Sequence, residues 1–143
     1  GVDGLGRNED YFGFGMPIFS PVDGTVVRVA DTARDHPPTR DWTYHLEGND
    51  ITIEDANHYK YIFVHNKYGS AAVKEGDTVK AGQKIAELGN TSSTIPHLHF
   101  GVWTEDWAVS IPVKFKEYTE LTEDGGTVIR SNSTPKQGTV IKN

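Results

Sequence analysis

The stretch that decides the fold reads Pro96-His97-Leu98-His99-Phe100-Gly101-Val102. As a β-strand it sends alternate side chains to opposite faces. The two histidines and the glycine then share one face, and the three apolar side chains share the other, which predicts a core-facing side. The two imidazoles lie about 7 Å apart, with space beside them at the glycine. One imidazole could hold a metal while the other reaches a group bound to it, although a bare His-x-His pair is more often an ordinary polar surface.

Composition limits the class of protein. The 143 residues are enough for one domain with a hydrophobic core. The formal net charge of -6 argues against a nucleic-acid backbone as the main partner. The chain has no cysteine, so disulfides and thiolate metal sites are excluded and any metal must use histidine, aspartate or glutamate. No apolar run reaches the length that crosses a membrane.

Further strands are predicted on both sides of the histidine strand, because short β-branched runs alternate with Gly, Asn and Asp turns. These strands are residues 25–30, 50–54, 59–65, short pieces within 73–89, and 111–115 at an edge. His65 ends the third of them, on the face that Tyr61 and Phe63 share. No segment keeps a helical period, so the fold is predicted to be nearly all β. We expect residues 1–115 to form the domain and residues 116–143 to form a C-terminal extension, as a peripheral hairpin or a loose end.

Three segments are predicted to be loops. Residues 1–15 hold five glycines and an acidic cluster, and residues 31–48 carry scattered charges without a clear period. The histidines of the second loop, His36 and His45, are expected to be exposed. Residues 90–94 form a polar loop that leads the chain into the histidine strand.

Several motifs occur in the order typical of one family. They read GMPIFSPVDGTV (15–26), GNDITI (48–53), YIFVH (61–65), GDTVKAGQKI (76–85) with LGN (88–90), and PHLHF (96–100). The sequence thereby resembles the lysostaphin-type zinc endopeptidases, also called LytM-domain peptidases. The resemblance implies an antiparallel, barrel-sandwich-like β fold with a duplicated hybrid motif.

The resemblance also implies roles for individual residues. His99 would be a zinc ligand, and His97 and His65 would activate water and stabilise the developing oxyanion. Asp3 would be the carboxylate ligand, with Asp10 as the less natural substitute. The family's remaining ligand, a histidine, is expected two residues before Gly1.

The implied function is that of a zinc metalloendopeptidase that cleaves peptide bonds in bacterial peptidoglycan, in a secreted, periplasmic or envelope protein. Tyr61 could wall the cleft, and Asn90 could bind the substrate backbone. Two alternatives stay open. One is a catalytically degenerate member of the family that binds peptidoglycan or a partner enzyme. The other is a histidine phosphocarrier of the sugar-phosphotransferase type, whose fold shares a similar glycine-containing entry motif and two facing histidines.

Overall fold

The computed structural model describes residues 4–41, 47–122, 124–135 and 140–142. Asp3 and His45 lie outside the described residues. Within these ranges, the regular elements include a 3-10 turn, Asn8–Asp10, and ten strands. The strands are β1 Pro17–Phe19, β2 Gly24–Ala30, β3 Asp50–Glu54, β4 Lys60–Val64, β5 Thr78–Val79, β6 Lys84–Glu87, β7 His99–Trp103, β8 Phe115–Leu121, β9 Thr127–Ser133 and β10 Val140–Lys142. The prediction of a nearly all-β fold is confirmed. In these ranges, no helix is long and apolar enough to cross a membrane.

In the part of the chain that the structure describes, the strands form three antiparallel sheets. The largest has five strands in the order β5-β2-β3-β4-β7. A second sheet pairs β1 with β6, and a third joins β10, β8 and β9. Because β3, β4 and β7 are direct neighbours, segments that are far apart in the sequence reach the same end of the central sheet.

The hydrophobic core covers one face of the five-stranded sheet. Ile51 and Ile53 of β3 and Phe63 of β4 are buried there, and they cluster with Ile18 of β1 and Ile85 of β6. The alternation of apolar and polar residues in the strands explains this arrangement, since one face of each strand must leave water. The β1–β6 pair therefore caps the core. On the opposite face Thr52 is also buried, but the end of the sheet that carries His99 stays open for a site.

Two predicted strand boundaries are wrong. The histidine strand begins at His99 rather than at residue 96. The Ser93 hydroxyl and the His97 ring both bond to the carbonyl of Ile95, and these bonds hold the segment before His99 in a bent loop. Leu98 is consequently 40% exposed instead of fully packed in the core. The last predicted strand, residues 111–115, is also displaced. Only Ser110 bridges to the central sheet there, opposite Trp103, and regular pairing resumes at Phe115, after Pro112, which has no N–H to donate.

The C-terminal residues form a sheet of their own. β8 pairs with β9 in a hairpin, and β10 returns to pair with the other edge of β8. We propose that this sheet is the extension expected after residue 115.

Candidate active site

Three imidazoles meet at one end of the central sheet. β4 pairs with β7 so that Val64 lies opposite His99, and His65 follows directly after β4. The ring centroid of His65 lies 4.8 Å from that of His97 and 5.7 Å from that of His99. His97 and His99 are exposed, and His65 is half-buried. These three residues, here called the histidine cluster, line a single open surface.

The backbone of His65 explains how its ring joins the cluster. In a regular strand His65 would follow Phe63 onto the core face, where Phe63 is 2% exposed. Instead, His65 adopts a left-handed φ of 67°, which is uncommon for a residue other than glycine. This conformation ends β4 and turns the ring away from the core. Two backbone hydrogen bonds hold it: Gly89 N–H donates to His65 O at 3.0 Å, and Asn66 N–H donates to Asn49 O at 3.3 Å.

A buried polar network supports His65 from below. Its members are Asn49, Asn66 and Thr91, with exposures of 0%, 1% and 0%. The Thr91 hydroxyl accepts a hydrogen bond from Asn49 N–H and donates one to Asn66 O, both at 3.0 Å. The Asn49 amide donates to Asn66 O at 3.2 Å and to Ala33 O at 2.9 Å. Because buried polar groups are costly unless they are paired, this network fixes the loop before β3, the end of β4 and residue 91 relative to one another.

Hydrogen bonds to carbonyl groups set the tautomers of two cluster histidines. His65 Nδ1 lies 2.7 Å from Thr91 O, and His97 Nδ1 lies 2.9 Å from Ile95 O. A carbonyl oxygen can only accept, so we assign the ring hydrogen of each neutral imidazole to Nδ1. The lone pair of each ring is then on Nε2. Ser93 Oγ, at 3.0 Å from His97 Nδ1, also donates toward Ile95 O and reinforces this turn.

The environment keeps His65 neutral near pH 7. Burial lowers its pKa below the usual 6.5, and repulsion from positive charge on His97, His99 and His36 lowers it further. The hydrogen bond to Thr91 O acts in the opposite direction and raises the pKa, but burial is the larger effect. His65 is therefore available as a proton acceptor at neutral pH.

A groove of about 670 Å³ lies next to the histidine cluster, where the loop after β2 meets β3 and β4. Its lining includes Arg28, Asp50, Val64 and Ser92 but none of the three cluster histidines. The Arg28 Nε–H donates to Asp50 Oδ1 at 2.7 Å, so these two charges offset each other. The groove adjoins the cluster through Val64, the residue opposite His99, without containing it.

Not every predicted site residue comes to the cluster. Tyr61 packs against the core, and its hydroxyl donates to Asp55 Oδ2 at 3.2 Å, near the far end of β4. Asn90 is fully buried, and its amide donates to Asn8 Oδ1 at 2.9 Å and to His36 O at 3.0 Å. The contacts of Asn90 are those of a residue that joins two loops.

The carboxylates of the N-terminal loop are separate from the cluster in what the structure describes. Asp10 Oδ2 accepts the backbone N–H of Arg7 at 2.7 Å, within the loop's own turn. Asp3, the predicted carboxylate ligand, is not among the described residues.

Sequence reasoning missed four residues that shape the site. His36, expected to be exposed, is half-buried, and its Nε2 accepts the N–H of Ser93 at 3.3 Å. Asn49, Asn66 and Thr91 were visible in or beside recognised motifs, but only as turn residues. Asn66 directly follows the strand-ending histidine, which was the available signal for it. Thr91 is 26 positions from His65 and Asn49 is 17 from Asn66, so no local signal indicated them.

Among the three histidines of the cluster, His99 is the one whose ring is suited to bind zinc. His65 and His97 each commit Nδ1 to a carbonyl, whereas the exposed ring of His99 has no hydrogen-bond partner among the described residues. Neutral imidazole is a usual zinc ligand. Within the described ranges, no three His, Asp or Glu side chains are grouped to hold a metal, so the ligand set would have to be completed by residues such as Asp3.

Comparisons with known proteins identify the family of the chain. The profile of peptidase family M23 matches residues 10–111. The peptidoglycan DD-endopeptidase ShyB of Vibrio cholerae is 40% identical over 89 residues, covering 62% of this chain and 18% of ShyB. Lysostaphin of Staphylococcus simulans is 31% identical over 150 residues, covering 97% of this chain and 28% of lysostaphin. The chain thus spans less than a third of the length of either relative.

A solved structure gives the same result. The zinc-containing peptidase from Vibrio cholerae matches with a TM-score of 0.51 at 36% identity, covering 68% of this chain and 26% of that one. The predicted lysostaphin-type fold is confirmed.

The opposite surroundings of two histidines predict opposite pKa shifts. In metal-free protein, the NMR titration midpoint of His65 should fall below 6.5, because burial disfavours its charged form. The midpoint of exposed His58 should lie above 6.5, because its ring bonds to the carboxylate of Glu54. At pH 6.5, His65 is then less than half charged and His58 is more than half charged. The Glu54→Gln variant should lower only the second midpoint, and a midpoint of 6.5 or higher for His65 would contradict the burial argument.

The Thr91 hydroxyl predicts a stability effect. Thr91→Val keeps the side-chain shape but leaves buried Asn49 N–H without its acceptor, and we expect it to lower the free energy of unfolding by about 1–3 kcal/mol in urea titrations. Thr91→Ser retains the hydroxyl and serves as the matched control, with a smaller loss. A loss in Thr91→Val no larger than that in Thr91→Ser would contradict this argument, because the hydroxyl would then contribute no more than the methyl group.

Proposed function

The chain belongs to peptidase family M23, and from this premise we propose that it is a zinc-dependent endopeptidase that hydrolyses peptide bonds in bacterial peptidoglycan. One observation carries the proposal: His65 and His97 present Nε2 lone pairs beside His99 on one open surface. Family membership favours a peptidase over the phosphocarrier alternative.

We assign zinc binding to His99 and Asp3. When bound, zinc supplies a Lewis acid for the scissile carbonyl and lowers the pKa of a water molecule. An imidazole and a carboxylate are both normal ligands of catalytic zinc. The exposed position of His99 at the start of β7 leaves room beside its ring for a substrate.

The remaining histidines handle protons. Hydrolysis of a peptide bond needs one proton to leave the attacking water and one to reach the departing amine. Nε2 of His65 or His97 can accept the first, and the resulting N–H can donate to the developing oxyanion or to the amine. The hydrogen bonds from Nδ1 to Thr91 O and Ile95 O orient both rings for this transfer, as a third group does in other acid–base sites.

The open setting of the histidine cluster supports a peptide as the substrate. His97 and His99 are exposed at the end of the central sheet, where a long chain can reach them. The family relationship favours glycine- or D-amino-acid-containing peptides of peptidoglycan. Such a substrate places the protein in the cell envelope or outside the cell.

Cleavage of purified peptidoglycan by the natural full-length protein tests the proposal. We expect new amine termini, detected by mass spectrometry, and their loss on zinc chelation. His99→Ala should lose the stoichiometric zinc. His65→Ala and His97→Ala should retain zinc but lose at least about 100-fold in turnover, a typical contribution of general acid–base catalysis.

His58→Ala provides the control, since His58 is exposed on the β3–β4 turn and bonds to Glu54. It should leave turnover unchanged. Normal turnover by the His65 or His97 variant would refute their assigned roles. If the wild-type protein holds zinc and binds peptidoglycan but releases no amine termini, the degenerate, non-hydrolytic alternative is correct.

A further inference from the structure

Trp103 lies on the same strand as His99 of the histidine cluster, and its indole ring extends toward that residue. His99, Gly101 and Trp103 occupy one face of β7, since alternate residues of a strand share a face. A Cβ atom built on Gly101 would lie 3.2 Å from Trp103 Nε1 and 3.8 Å from Trp103 Cδ1. The indole therefore leans back along the strand and covers Gly101 with its N–H edge. Glycine permits this contact because a larger residue would push the ring away.

The indole N–H has no acceptor within the protein as described. No described residue accepts a hydrogen bond from Trp103 Nε1, and the side chain is only half-buried. An indole nitrogen is a donor only, and buried or interfacial tryptophans usually use it. A donor without an intramolecular partner, held over Gly101 on the face that carries His99, is suited to a ligand's oxygen atom.

The spacing matches a peptide. Same-face residues of a strand repeat about every 6.6–6.8 Å, so Gly101 lies that far from His99 along β7. Two residues of an extended peptide span about 6.6–7.2 Å. A peptide whose scissile bond lies at His99 and which runs along this face thus places a backbone carbonyl over Gly101.

We propose that Trp103 forms a substrate subsite, in which its indole N–H donates a hydrogen bond to a backbone carbonyl two residues from the bond that is cut. This inference rests on the proposed function. Because the contact is remote from the reacting atoms, it should strengthen binding of substrate and transition state equally. Trp103 is then a residue that selects for substrates long enough to reach it.

A second tryptophan offers a matched control. The Trp107 ring lies 6.5 Å from that of Trp103, and Lys60 Nζ lies 5.0 Å over its face while donating to Glu105 O. Trp107 is thus held by the turn after β7 and does not lie over Gly101. Replacing it by phenylalanine removes an indole from the same region without touching the proposed subsite.

The test uses cross-linked muropeptide dimers released from peptidoglycan by a muramidase, with the zinc-loaded full-length protein. Trp103→Phe keeps an aromatic ring but lacks the N–H, and we expect KM to rise roughly threefold to tenfold with little change in kcat, the pattern of lost uniform binding. Trp107→Phe should change neither constant.

Gly101→Ala should raise KM similarly by displacing the indole. The double variant Gly101→Ala/Trp103→Phe should have a KM no higher than that of Trp103→Phe, because both substitutions remove the same interaction.

Unchanged KM in Trp103→Phe, an equal effect in Trp107→Phe, or a loss confined to kcat would overturn the proposal. Binding of the same dimers to metal-free protein, followed by calorimetry, separates this result from a failure of the proposed function. If the wild-type protein binds the dimers without cleaving them, weaker binding by Trp103→Phe still supports the subsite, and equal binding overturns it. A wild-type protein that does not bind the dimers also overturns it.

Discussion

The register between β4 and β7 is the constraint on which the site depends. Phe63 lies opposite Phe100 on the core face, with ring centroids 5.0 Å apart, and Val64 lies opposite His99 on the other face. A slip of one residue would send His99 into the core and Phe100 into water, because side chains alternate along a strand. Packing of the two phenylalanines therefore determines where the site's histidines can meet. Core stability and site geometry are properties of the same strand pair.

The second requirement is the backbone of His65. A left-handed residue that is not glycine costs free energy and persists only where its surroundings over-determine it. Here the surroundings are Asn49, Asn66 and Thr91, whose hydrogen bonds fix the peptide groups on both sides of the turn. The same network presents Thr91 O to the His65 ring. The strained backbone of His65, the orientation of its ring and its tautomer thus all depend on this hydrogen-bond network.

The sequence alone predicted the central strands and indicated His65, His97 and His99 as candidate site residues, because period-2 patterns and ordered motifs are local signals. It could not predict that β4 ends by turning His65 off the core face, since the contact of Thr91 with Asn49 joins residues 42 positions apart. The expected exposure of His36 was wrong for a similar reason: its partner Ser93 is 57 positions away. Tyr61 and Asn90 were predicted as site residues because they lie near the cluster histidines in the sequence. The side chain of Tyr61 instead bonds to the β3–β4 turn, and that of Asn90 bonds to the loops around Asn8 and His36.

The tautomeric state of His65 and His97 tests the central claim most directly. Long-range ¹H–¹⁵N NMR spectra of metal-free protein at about pH 8, where free imidazole is neutral, distinguish a hydrogen on Nδ1 from one on Nε2. The geometry predicts Nδ1–H for both rings, with Nε2 unprotonated. An Nε2–H tautomer at either residue would mean that its lone pair does not face the open surface, and the account of the site would fail.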